Sequence, residues 1–241
     1  MPIYYHETID ASIVREKALA YLDKVGKAVE RTNVPGSQMR NLGKWVVNWT
    51  TGRWIQVVGQ WEMTSWDWFV EHFTKTNLMF DHPEGQEQYR SGGFDRLLKP
   101  WEGTPTLDQI IEEGRRAPFV LQETIGVPAG SAPTYLESLR ASATAIKGAG
   151  RGMQLHGAYE VLLRDESEVL VQWAFADLSS FTAAVGDTRG FRELAAWREQ
   201  ARATERSYIA ALLEPTEWSP LTDSGEDLAP VDVDGLAGHG R

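Results

Sequence analysis

The chain has 241 residues, 42% of them hydrophobic and 24% charged, an ordinary globular composition that suits one large domain or two small ones. Its net charge of −10 opposes binding to nucleic acid or to an anionic membrane surface, both of which need clustered Lys and Arg. There is no cysteine, so disulfides, thiolate catalysis and Cys-ligated metals are excluded; with neither a membrane-length apolar run nor a secretory leader in view, a cytoplasmic bacterial protein is expected.

In chain order, residues 3–9 read as a strand rich in aromatic and β-branched side chains. A helix is expected over 12–32, with Val14, Ala18, Leu22, Val25 and Val29 at helical spacing and Ser12 as its N-cap. Strands 44–50 and 54–63 form a hairpin through Thr51-Gly52, and a second helix follows over 65–74. Residues 81–93 are polar and Gly-bearing and read as a loop, and 104–117 as a connector carrying a short helix. The order then returns: strand 119–125, a helix opened by Ser131-Ala132-Pro133 and stopped by Gly148 and Gly150, strands 158–164 and 169–175, and a helix over 178–185. Residues 190–213 read as further helix, and 223–241 as a disordered acidic, Gly-rich tail.

This return is a tandem duplication. Pro2-Ile3-Tyr4-Tyr5-His6-Glu7-Thr8-Ile9 is answered 116 positions later by Pro118-Phe119-Val120-Leu121-Gln122-Glu123-Thr124-Ile125. Gly43 and Trp45 are answered by Gly157 and Tyr159, Gln60-Trp61 by Gln172-Trp173, Phe69 by Phe181, and Leu97-Leu98-Lys99-Pro100 by Leu212-Leu213-Glu214-Pro215. The fold class is therefore α+β: two ferredoxin-like βαββα(β) units, residues 1–116 and 117–221, with 222–241 as the tail and each fourth strand near Trp101 or Trp218. A sheet with helices on one face leaves its other face bare, so the two sheets are expected to pack face to face as an intrachain α/β barrel.

The segment Gly157-Ala158-Tyr159-Glu160-Val161-Leu162-Leu163-Arg164-Asp165, continued by Val169–Phe175 and Leu178-Ser179-Ser180-Phe181, resembles the dimeric α/β-barrel superfamily and, within it, tandem NIPSNAP-like proteins. Residues Gly43 to Phe69 carry the same pattern in the first copy. The resemblance implies the barrel fold but not one activity, since the superfamily includes cofactor-free monooxygenases, isomerases, cyclases, lyases, haem enzymes such as chlorite dismutase, and proteins without known activity.

Seven of the ten tryptophans lie in the first copy, so a pocket for a small hydrophobic, aromatic or polycyclic molecule is expected there, walled by Trp61, Trp66, Trp68, Phe69 and Trp45. Packing alone is the other use of those rings. His72 is the candidate proton-transfer group or, on the haem alternative, an iron ligand; otherwise it is a helix-surface histidine. Strand alternation places Tyr5 and Glu7 on one face and His6 on the other. Glu7 recurs as Glu123, either as a buried acid or base or as a structural partner of a cation, whereas His6 is replaced by Gln122, the mark of a specialised position. His82 beside Asp81 sits on the loop.

The histidines are too scattered for a metal site, and Gly148-Ala149-Gly150-Arg151-Gly152 follows a helix where a phosphate loop must precede one. Cofactor-independent acid/base chemistry or oxygenation is the expected activity. A non-catalytic ligand-binding or scaffold protein, with a homo-oligomer as a possible assembly, is the alternative, and a haem enzyme the second.

Overall fold

The computed structural model describes residues 2–12, 14–34, 36–48, 55–75, 89–150, 152–164, 167–186 and 192–221. The first repeat gives β1 (Ile3–Ala11), α1 (Arg15–Thr32), β2 (Met39–Val47), β3 (Gln56–Met63), α2 (Trp66–Lys75) and β4 (Arg90–Pro100). A short α3 (Leu107–Glu112) links it to β5 (Phe119–Val127), α4 (Ala132–Gly148), β6 (Met153–Val161), β7 (Ser167–Phe175), α5 (Leu178–Gly186), α6 (Arg192–Arg202) and β8 (Ser207–Pro215). The first repeat is thus a βαββαβ unit among the described residues, and the second is the same with α6 added before its last strand. The Thr51-Gly52 turn, Asp81, His82 and the tail from 222 onward lie outside the described residues.

The two four-stranded sheets, β4-β1-β3-β2 and β8-β5-β7-β6, close into one eight-stranded antiparallel barrel. They are joined edge to edge, β2 to β8 from Trp45↔Pro215 to Val47↔Leu213 and β4 to β6 from Leu98↔Val161 to Pro100↔Tyr159. Closure pairs the sheet edges over these short runs at the strand C-terminal ends. Alternation then sorts the side chains. Tyr4, Trp45, Val58, Leu98, Val120, Tyr159, Leu170 and Leu213 pack in the lumen. Ile9, Ala11 and Val57 face α1 in the first repeat, while Ile125, Val127, Val171, Trp173 and Phe175 face α4 and α6 in the second.

The fourth strands expected near Trp101 and Trp218 are β4 and β8, which end at the Leu-Leu-x-Pro motifs just before those residues. Two other sequence expectations are corrected. The helix read over 190–213 stops at Arg202, and Ser207–Pro215 is inserted between β5 and β2. Ser12 is not the N-cap of α1; Val14 occupies that position in extended conformation, exposed, and its N–H donates to Ser12 Oγ at 3.2 Å.

The repeated pair Gly43/Trp45 and Gly157/Tyr159 has a steric cause. At both places the strand register shifts, and a Cβ on the glycine would overlap the ring two residues on, which fills the lumen. Gly43→Ala and Gly157→Ala are each expected to destabilise the protein by about 1–3 kcal/mol, because overpacking forces a buried ring off its rotamer. Urea denaturation midpoints check this, and unchanged midpoints would remove the steric explanation.

Candidate functional site

The lumen centre is polar. His6 Nε2 lies 2.9 Å from Gln122 Oε1, and Gln172 Nε2 donates to Gln60 Oε1 at 2.9 Å and to Gln122 Oε1 at 3.0 Å. These are the repeat-related pairs His6/Gln122 and Gln60/Gln172, brought together across the barrel from opposite sheets. His6 is fully buried, and burial, aided by the charge of Arg96, pulls its pKa down to about 4. Trp45 is also fully buried here, edge-on to His156 at 6.4 Å.

Tyr5 and Glu7 point the other way, beneath the helices. Glu7 Oε1 accepts from the buried Lys44 Nζ at 2.7 Å and from Trp61 Nε1 at 3.4 Å. On α2, Trp66 is exposed and meets Phe69 edge-on at 5.6 Å, while the Trp68 ring stacks on His72 at 4.5 Å. The nine candidate residues therefore do not converge: His6 and Trp45 are in the lumen, Glu7 and Trp61 are under the helices, and His72 is on α2.

The second repeat holds a cavity of about 650 Å³ between α5, α6 and the helix-facing side of β5 and β8. Leu121, Phe181, Ala184, Val185, Ala195 and Ala210 form its apolar wall, with Arg198 and Tyr208 at its polar end. None of Trp61, Trp66, Trp68 or His72 lines it. The polar end is the repeat-related partner of the Glu7 cluster. Glu123 is fully buried, takes an N–H from Trp173 at 3.0 Å and the Tyr208 hydroxyl at 2.8 Å, and is ion-paired with Arg198. Arg198 Nη2 also donates to Tyr208 Oη at 2.7 Å, with its guanidinium 4.6 Å from the Tyr208 ring centre. Burial raises the Tyr208 pKa while the Arg198 charge lowers it, so the phenol rests neutral as a donor to Glu123.

Sequence reasoning singled out Glu123 through its match with Glu7, and it missed Arg198 and Tyr208. Their signal was a difference between copies: Tyr208 replaces Gly93. The first-copy cation is Lys44 on β2, whereas the second comes from α6.

This donor set does not suit haem. Among the described residues lining the cavity there is no histidine, methionine or cysteine, and the Tyr208 oxygen is engaged by Arg198 and Glu123. Among the described residues no group of three or more His, Asp or Glu can hold a metal ion. No helix among the described residues is long and apolar enough to cross a membrane.

No protein-family model and no curated protein sequence matches the chain. Solved structures do. A candidate monooxygenase from Lactobacillus acidophilus superposes over 89% of this chain and 93% of its own at 12% identity, TM-score 0.63. An anthrone oxidase-like protein does so over 93% and 97% at 9% identity, TM-score 0.61. A NIPSNAP family protein from Agrobacterium tumefaciens is 23% identical and matches 43% of this chain with 98% of its own, TM-score 0.36. The chain has the dimeric α/β-barrel fold, with both ferredoxin-like units of the barrel in one polypeptide.

Proposed function

We propose that the second-repeat cavity binds a hydrophobic, aromatic or polycyclic molecule and acts on it by cofactor-independent proton transfer. The observation that carries this reading is an apolar cavity ending in a Tyr208–Glu123–Arg198 network, in which Glu123 is fully buried and the Tyr208 ring opens to the cavity mouth. A substrate proton taken up by Tyr208 Oη, as the phenol's own proton passes to Glu123 Oε1, leaves a substrate anion beside Arg198. Glu123 is then neutral, so the guanidinium charge it had balanced faces the new anion. The apolar wall beside it screens that attraction less than bulk water does. Such an anion can be reprotonated elsewhere, as in an isomerase or cyclase, expel a leaving group, or react with dioxygen. The likeness to an anthrone oxidase-like structure makes anthrone, with its acidic C–H, the first compound to try.

The test combines oxygen uptake and absorbance with anthrone, direct binding, and mass spectrometry of molecules that co-purify. Tyr208→Phe keeps the ring and is expected to lower kcat by about 10²–10⁴-fold with affinity nearly unchanged. Ala210→Trp fills the cavity and is expected to abolish binding. Full turnover by Tyr208→Phe would remove Tyr208 from the proton transfer, binding without turnover by the unaltered chain would leave a non-catalytic binding protein, and unchanged binding by Ala210→Trp would move the site elsewhere.

A further inference from the structure

The first repeat has its own cavity, about 430 Å³, at the place equivalent to the one just described. Tyr5 lines it where Leu121 lines the other, and Phe69 where Phe181 does. Its outer wall is different. Leu162, Leu163 and Arg164, which follow β6 of the second repeat, close over Phe94 and Leu97 of β4. The cleft is therefore assembled from both repeats.

Leu163 is the most telling residue in it. Its side chain is 85% exposed, and its φ of 60° is a left-handed conformation that glycine or asparagine adopts far more easily. A leucine that is strained and also faces water gains nothing for the fold. Phe94 beside it is likewise exposed. Strain of this kind persists where a side chain serves a ligand.

The charges of the cleft choose the ligand. Arg96 donates to Glu168 at 2.5 Å and lies 4.4 Å over the Phe94 ring, so its charge is balanced. Asp95 makes interactions of its own. Among the described residues Arg164 has no hydrogen-bond or ion-pair partner, which leaves one guanidinium at the rim of an apolar cleft. We propose that this cleft is a second small-molecule site, for a planar aromatic compound bearing a carboxylate or sulfonate. The rings lie against Phe69, Phe94 and Leu163, and the acid group meets Arg164.

The probe is 8-anilinonaphthalene-1-sulfonate, titrated by fluorescence and calorimetry against the full chain carrying Ala210→Trp, so that the second-repeat cavity is filled. One molecule per chain is expected to bind, and Arg164→Gln is expected to weaken it about tenfold, the loss of one charge-assisted contact. Leu163→Gly separates a ligand wall from a fold element. It removes the strained side chain, so thermal stability is expected to hold or rise while probe affinity falls several-fold. Loss of stability with affinity intact would overturn the proposal, as would absence of probe binding to Ala210→Trp. Because the second-repeat cavity is blocked throughout, failure here leaves the proton-transfer reading untouched.

Discussion

Arg198→Ala is expected to destabilise the protein by about 3–5 kcal/mol, the cost of leaving a buried carboxylate without its cation. Glu123 is fully buried, Arg198 is partly exposed, and the remaining donors to the carboxylate, Trp173 N–H and Tyr208 hydroxyl, are neutral. The result is read as a shift in urea denaturation midpoint, with Glu123→Gln made in parallel. An amide keeps the shape and an acceptor while removing the charge, so the double variant Arg198→Ala/Glu123→Gln is expected to recover most of the loss. The first repeat supplies the control. Glu7 is 15% exposed, so Lys44→Met leaves a carboxylate that water can reach, and a smaller loss is expected. Equal losses at the two sites would mean that burial is not what makes the pair matter.

The duplication made the architecture legible, because aromatic and β-branched runs recur in the same order in both copies. The extent of the fourth strands was not legible, for two different reasons. The first half of β4, Arg90-Ser91-Gly92-Gly93, is polar and glycine-bearing, and its order comes from backbone pairing with β1 (Gly92 with Asp10, Gly93 with Ile9). In β8 the run Ala210-Ala211-Leu212-Leu213 suits a helix by propensity, and insertion between β5 and β2 overrides it.

The candidate site shows a further limit. Tryptophan abundance reports volume that is filled: Trp45 plugs the lumen, and Trp61 holds Glu7 as Trp173 holds Glu123. The larger cavity lies where Ala184, Ala195 and Ala210 leave space. An alanine in a sequence does not say whether the room beside it is occupied. Glu123 was the one site group that the sequence flagged, because a carboxylate kept in both copies on a buried strand must be neutralised. Its cation came from α6, which has no counterpart among the described residues of the first copy.

Acidification from about pH 6.5 to about pH 4 is expected to remove some 3 kcal/mol of stability for each of two histidines. His6 and His156 are both fully buried, and burial lowers both pKa values to about 4, with Arg96 adding to the shift at His6 and Arg115 at His156. In the unfolded chain the same imidazoles titrate near 6.5. Between those values the unfolded state binds protons that the folded state refuses, so stability falls as pH falls, and the histidine contribution levels off near pH 4. Carboxylates held low by a guanidinium, such as Asp108 beside Arg40, act below that window, which separates the two effects. Urea titrations at half-unit intervals from pH 7.5 to 4 measure the slope. His6→Gln copies the residue that the second repeat already places at the equivalent position. Its amide can still reach Gln122 across the barrel, so the network survives and about half of the slope should vanish. A wild-type midpoint that stays flat over this range would mean that these imidazoles are not held neutral in the folded protein, and that the lumen admits enough water to charge them.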